Sequence, residues 1–268
     1  MVKIHPIQTG TVRVKQFQLT GASHNLSRFY QLFFTQKWSE WMPIYCWLID
    51  IEGDLILVDT GETARIYEDG YLPKGGIYHK AVQTRIAEEE ELPHQLESLG
   101  YSISHVKNVL LTHMHGDHIG GLQHLSHAEI FVSRKEYEFA TSKKGPGSGY
   151  FKQNWPSWFN PTLITYEKDN NEDWSGVYAL PGHSIISVVP TPGHSIGHQS
   201  VIVKDKEKTY VIGGDLTYNL DTLHDEIPNI VLLNKEAKKS VEQIKDFVTE
   251  HDAIYLSSHD WGVSDYLR

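Results

Sequence analysis

Apolar residues recur along this chain in short runs separated by turn-forming residues, the spacing of strands rather than of long helices. Val2 to Val14 and Tyr45 to Val58 predict strands, the second folded back at a hairpin turn over Glu52-Gly53-Asp54. Further strands are expected at 106–112, 129–133, 163–166, 185–191, 198–204, 208–213 and 253–257. Two stretches carry helical periodicity: 81–99, closed by Gly100 where a helix commonly ends, and 235–250. Strands interleaved with helices, without repeats or low-complexity tracts, predict an α/β sandwich.

Two segments break the pattern and read as insertions within a single domain spanning 1–268. The first, near 17–44, crowds Phe17, Phe29, Tyr30, Phe33, Phe34, Trp38 and Trp41; the second, near 142–160, combines Gly145, Gly147 and Gly149 with Trp155, Trp158 and Phe159. Large rings in irregular segments bury much area at small entropic cost, so at least one cluster is expected to line a substrate pocket or a homodimer contact.

The candidate chemistry is concentrated at 113–118, His-Met-His-Gly-Asp-His, which ends the apolar run Val106 to Leu111. Residues two apart on extended backbone point the same way, so His113 and His115 share one side while Asp117 and His118 swing to a second point. One loop can thus serve two metals. Neutral imidazole with carboxylate suits zinc, and also iron, manganese or cobalt, so the donor set defines the kind of ligation better than the ion. Gly120 and Gly121 follow, letting backbone pack close to the site.

Charge narrows the functions available. A net charge of −10 argues against a polyanionic partner such as nucleic acid, which calls for Lys and Arg to displace counterions. The most basic short stretch, Lys235 to Lys245, is interrupted by Glu236 and Glu242 and reads as the solvated face of a helix. No run approaches the roughly 20 apolar residues of a membrane span, and no apolar segment follows the first residues as in a secretory signal, so a cytoplasmic location is expected. The single Cys46 sits in the apolar run Tyr45 to Ile49 and reads as a buried thiol rather than a ligand or nucleophile.

The run Thr112-His113-Met114-His115-Gly116-Asp117-His118-Ile119-Gly120-Gly121 resembles the signature of the metallo-β-lactamase fold superfamily. Leu57-Val58-Asp59-Thr60-Gly61, Thr191-Pro192-Gly193-His194, Gly213-Gly214-Asp215 and Ser258-His259 resemble its other motifs. Within that superfamily the chain is most similar to the N-acyl homoserine lactone lactonases. Glu88-Glu89-Glu90 with Gln95-Leu96, Gly197-His198-Gln199-Ser200, Tyr218 three residues after Asp215, and the distance from Asp215 to His259 carry the narrower likeness.

The resemblance implies a four-layer αββα sandwich and two divalent ions, most simply zinc. His113, His115 and His194 would hold one ion, and Asp117, His118 and His259 the other, with Asp215 between them. Two Pro-Gly-His-Ser copies compete for the third ligand of the first set. His194 is preferred because it ends an apolar run and precedes Asp215 at the family's spacing, leaving His183 as a loop residue. His198 is expected to support the ligands rather than join them. Asp59 is either an acceptor that orients a ligand imidazole or a turn carboxylate. The ligand-bearing loops all follow apolar strands, which a common sheet edge would explain.

The implied reaction is hydrolysis of a lactone bearing an apolar acyl chain, by a hydroxide held between the ions. Asp117 would pass a proton to the leaving alkoxide, and the Tyr218 hydroxyl would hydrogen-bond the substrate carbonyl. Thioesters of the glyoxalase II type and organophosphates remain alternative substrates. A β-lactamase with a Cys ligand is excluded by the position of Cys46, and a flavo-diiron protein by His115 where a carboxylate would stand.

Overall fold

The computed structural model describes residues 2–20, 34–72, 78–168, 174–227 and 234–267. The N-terminal apolar run forms β1 (Val2–Val14), which pairs along β2 (Met42–Ile51), and β2 turns through Glu52-Gly53 into β3 (Asp54–Val58). Both turn residues have positive φ, 55° and 92°, the twist a two-residue hairpin needs, and Gly53 adopts it without steric cost. β4 (Val82–Arg85) pairs with the far edge of β1, while β5 (Val106–Leu110), β6 (Glu129–Ser133) and β7 (Thr162–Ile164) extend the sheet in parallel beyond β3. The resulting seven-stranded sheet has the order β4-β1-β2-β3-β5-β6-β7. A five-stranded sheet, ordered β12-β11-β10-β9-β8, is built from β8 (Tyr178–Ala179), β9 (Ile186–Pro190), β10 (Gln199–Lys204), β11 (Thr209–Gly214) and β12 (Ile254–Ser257).

Helices α1 (Leu92–Ser98), α2 (Gly116–Ile119), α3 (Arg134–Ala140) and α4 (Asn234–Glu250) punctuate the strands. Side-chain alternation sorts the strands into the expected four layers. Trp47, Ile49, Ile56, Val58, Leu110 and Phe131 meet Val188, Val201, Val203, Ile212 and Leu256 between the sheets. Cys46, Leu48, Leu55 and Leu57 point the other way, onto Leu92 and Leu96 of α1. From the second sheet, Val189, Ile202, Val211 and Tyr255 face Val241, Ile244 and Phe247 of α4. Burying one such aliphatic or aromatic side chain is worth about 1.5–3 kcal/mol, so this apolar stripe is sufficient to dock the helix. Its other face carries exposed Lys235, Lys238 and Lys239, as the charge pattern anticipated. No helix among the described residues is long and apolar enough to cross a membrane.

Two sequence expectations are corrected. The helix expected over 81–99 is instead β4, a short 3-10 turn Glu88–Glu90, and α1. The edge of β1 decides this, because Thr11 to Val14 present backbone groups that pair with Arg85 to Val82 and override a helical periodicity. The ligand-bearing loops also do not share the edge of one sheet. The 113–118 run follows β5 in the larger sheet, whereas His194, Asp215 and His259 follow β9, β11 and β12 in the smaller one.

The aromatic clusters divide. Positions 21–33, with Phe29, Tyr30 and Phe33, lie outside the described residues. Trp38 and Trp41 are stacked against cations, with the Arg13, Lys15 and Arg85 side chains over their rings at 3.9–5.2 Å. In the second cluster Tyr150 is buried and Trp155, Trp158 and Phe159 pack on the outer layer of the larger sheet. Cys46 is buried with its thiol 3.7 Å from the Ile7 carbonyl oxygen, and burial pushes its pKa up, which keeps it protonated and inert.

Candidate metal centre

The chain remains extended through His115, with φ −72° and ψ 160°, and then turns into α2, so the ligand run itself straddles the strand-to-helix transition. This geometry separates the two donor groups. His113 Nε2, His115 Nδ1 and His194 Nε2 form a triangle with edges of 3.0, 3.2 and 3.0 Å. Three nitrogens around a tetrahedral ion at ~2.0–2.1 Å would stand roughly 3.3 Å apart, so the triangle is close to that required for one ion. Asp117, His118 and His259 form a second group whose donor atoms lie within 4.8 Å of one another.

Asp215 lies between the groups and divides its oxygens. Oδ1 is 3.2 Å from His118 Nε2 and 3.1 Å from His259 Nε2, while Oδ2 is 3.5 Å from His194 Nε2. Asp117 Oδ2 is 3.8 Å from both His118 Nε2 and His259 Nε2. All seven side chains named from the sequence as ligands are therefore brought together, across both sheets.

Hydrogen bonds on the far side of each ring decide which nitrogen faces inward. His118 Nδ1 donates to Asp59 Oδ2 at 2.8 Å, His259 Nδ1 to the Pro43 carbonyl at 2.8 Å, and His115 Nε2 to the Ser148 carbonyl at 3.0 Å. A carbonyl or carboxylate can only accept, so when each of these three rings is neutral its opposite nitrogen turns a lone pair toward the cluster. Asp59, at φ 62° and wholly buried, also accepts from Thr112 N at 2.7 Å and Thr112 Oγ1 at 2.8 Å. The Thr112 oxygen in turn lies 3.1 Å from His113 Nδ1. Asp59 thus orients His118 directly and His113 through Thr112, which places it as the imidazole acceptor rather than a mere turn carboxylate.

The donor set fits divalent cations. Among the described residues, the buried atoms His118 Nε2 and Asp215 Oδ1 have no hydrogen-bond partner, an arrangement of facing acceptors that a proton or a cation must bridge. The electrostatics are those of a cation site. Burial opposes charge on His118 and His259, yet Asp215, with Asp117 and, for His118, Asp59, outweighs it and holds both above the usual imidazole pKa. Burial together with neighbouring imidazoles holds His113 and His194 well below it, despite Asp215. Burial alone would raise Asp215, but His259, His118 and His194 hold it well below the carboxylate range.

His198 supports rather than joins the cluster. Its Nε2 accepts from Asp215 N at 3.2 Å and its Nδ1 lies 3.1 Å from the Thr191 carbonyl, leaving no nitrogen for a ligand role. Burial, chiefly, lowers its pKa to about 4, so it remains neutral. His183 stands beyond the other end of β9, with its ring 3.5 Å from the Asp54 carboxylate. Tyr218 is buried against Val12, Val14 and Ile44, its ring centroid 6.3 Å from that of His259.

A small cavity, open to solvent, adjoins the ligand loop at Met114 and Gly116 and is walled by Tyr71, Phe151 and Trp155. A Cβ on Gly116 would meet no atom within 4 Å, so the loop leaves space there. Glu62 also lines the wall, its carboxyl pushed up to about 8 by burial and then by Asp117. Sequence reasoning did not identify Glu62, nor the Pro43 and Ser148 carbonyls, because a backbone acceptor carries no side-chain signature and an isolated Glu after a strand resembles any surface acid.

Similarity to known proteins agrees with this geometry. The family model described as the metallo-beta-lactamase superfamily matches residues 39–261. An N-acyl homoserine lactonase of Bacillus cereus is 26% identical over 220 residues, covering 82% of each chain. The N-acyl homoserine lactonase AttM of Rhizobium radiobacter is 25% identical over 269 residues, covering 97% of this chain and 93% of its own. The structure of an N-acyl homoserine lactone hydrolase with the product N-hexanoyl-L-homoserine at its catalytic metal center shares the fold, with a TM-score of 0.75 at 22% identity over 99% of this chain and 96% of that one. From its motifs, its two facing sheets and the extent of the family match, the chain belongs to the metallo-beta-lactamase superfamily.

Proposed function

We propose that this protein opens the lactone ring of N-acyl homoserine lactones, with two divalent ions, most simply zinc, held by the residues assembled above. The observation that carries the reading is the Asp215 carboxylate, whose two oxygens face different imidazole groups. One set comprises His113, His115 and His194, the other Asp117, His118 and His259, with Asp215 common to both. The lactonase relatives support the substrate class.

Divalent ions bound there would polarise a carbonyl and bring the pKa of a water near neutrality. The residues perform the remaining tasks. Water adds to the lactone carbonyl carbon, the bond from that carbon to the ring oxygen breaks, and Asp117 carries the proton to the departing alkoxide. Asp117 suits this role because its side chain is 15% exposed while the imidazoles around it are nearly closed to solvent. Tyr218 supplies a hydrogen bond to the carbonyl oxygen, where negative charge accumulates. The acyl chain lies along the cavity beside Gly116, against Phe151 and Trp155, so longer chains should lower KM.

Initial rates for acyl homoserine lactones of increasing chain length, measured beside a thioester and a phosphotriester, test the assignment. Lactones should be turned over fastest; a thioester hydrolysed well above every lactone would overturn it. Tyr218→Phe should reduce turnover on the order of ten- to a hundredfold, since one donor is lost while the main electrophilic stabilisation remains. Metal content, measured by elemental analysis, should be unchanged. Wild-type kinetics in this variant would show that Tyr218 only packs the loop.

A further inference from the structure

The three imidazoles of the first set come from loops on different sheets, and the same buried carboxylate reaches both loops. Glu136 lies within α3, wholly excluded from solvent. Its Oε1 accepts from Met114 N, between His113 and His115, at 3.1 Å, and from the Tyr150 hydroxyl at 2.8 Å. Its Oε2 accepts from Ser195 Oγ and Gly197 N, just past His194, at 2.7 and 3.0 Å. Tyr150 also packs its ring 4.9 Å from that of His115. The approach is close: a Cβ on Gly197 would come within 2.2 Å of Glu136 N, so this position admits only glycine without movement of the loop.

We propose that Glu136 is a positioning residue for the first metal set, spacing the His113–His115 loop and the His194 loop before an ion arrives. The physical need is specific. Without an ion, each of three nitrogens 3.0–3.2 Å apart is either a donor or an acceptor, so at least one pair is alike, and its repulsion tends to spread the set. Four hydrogen bonds to one carboxylate oppose that spreading, and bonds to a carboxylate acceptor are shorter and stronger than those between neutral groups. The second set is anchored elsewhere, His118 by Asp59 and His259 by the Pro43 carbonyl. Glu136 therefore acts on one ion and not the other.

This inference rests on the two-ion reading above, and its test separates the two. Glu136→Gln preserves the side chain's volume but replaces one acceptor oxygen by an amide donor. In either orientation that amide faces a backbone N–H, of Met114 or of Gly197, which cannot turn away. Zinc-binding isotherms of wild type and variant, measured against a competing chelator, should show two steps in the wild type. In the variant one step should weaken about ten- to a hundredfold, the usual cost of losing an outer hydrogen-bond partner. With cobalt substituted for zinc, the visible absorption of the three-imidazole site should fade while that of the second site persists.

Equal weakening of both steps would show a fold-wide effect, and unchanged isotherms would show that Glu136 merely packs; either overturns the proposal. A wild type that binds no second ion would instead refute the two-ion reading. Should Glu136→Gln fail to fold, Tyr150→Phe and Ser195→Ala each remove one donor without placing a new group against the carboxylate. Each should weaken the same step by a smaller factor, and an effect confined to the other step, or none in either variant, would also overturn the proposal.

Discussion

Asp215→Ala should abolish the shared carboxylate and lower bound metal from the proposed two ions per chain toward one, with turnover falling about a thousandfold or more. The magnitude follows from the several kcal/mol of charge stabilisation that a metal site contributes, at about 1.4 kcal/mol per tenfold in rate. The effect should exceed that of Tyr218→Phe because Asp215 faces both donor groups, with Oδ1 toward His118 and His259 and Oδ2 toward His194. Removal leaves buried imidazoles without the charge that orders them, and His198 Nε2 keeps its hydrogen bond to the backbone at 215, so the loop itself should persist. Elemental analysis beside steady-state kinetics decides the matter. A variant that retains full activity with one ion per chain would eliminate the dinuclear reading.

Asp59→Asn should weaken both ions rather than one, in contrast to Glu136→Gln. The buried Asp59 carboxylate receives Thr112 N, Thr112 Oγ1 and His118 Nδ1, and Thr112 passes its influence to His113. Asn tolerates the positive φ of 62° at this position, so backbone strain does not confuse the result. Its amide nitrogen must face either Thr112 N–H or His118 Nδ1–H; the second choice reverses the His118 tautomer and turns a proton toward the ion. Loss of about ten- to a hundredfold in metal affinity is expected for each step, with about 1–3 kcal/mol of stability lost for a buried group left unsatisfied. Chelator titration and denaturant unfolding of the metal-free protein measure the two separately. Unaltered binding of both ions would return Asp59 to the role of a turn residue.

Much of the architecture was legible because its signals are local. The apolar runs at 45–58 predict β2 and β3, and the helical periodicity at 235–250 predicts α4, whereas β2 and β3 are buried on both faces, so which of their residues lie between the sheets is not read from the run itself. The 113–118 run was legible for the same reason, since four candidate donors fall within six positions of one loop. His194 was distinguished from His183 by the apolar run before it, and β9 separates the two histidines in space. The aromatic residues near 142–160 were only partly informative, because ring content does not distinguish Phe151 in the cavity wall from Trp158 on the outer layer.

The sequence by itself determined most of the strands, the helix near 235–250, which side chains can carry metal chemistry, and the loops on which they sit, because periodicity and donor spacing are properties of neighbouring residues. Only the tertiary structure decided that Val82–Arg85 is a strand, since its partner is the open edge of β1 some 70 residues away, as with Arg13 and Gln83. It alone decided that donors from two sheets converge, that Asp215 divides its oxygens between them, and that Asp59, Pro43, Ser148 and Glu136 are the groups that hold the rings and loops. These choices depend on distances across the sandwich, and a hydrogen-bond partner that is remote in the chain, or a backbone carbonyl common to every residue, leaves no periodic trace in the order of amino acids.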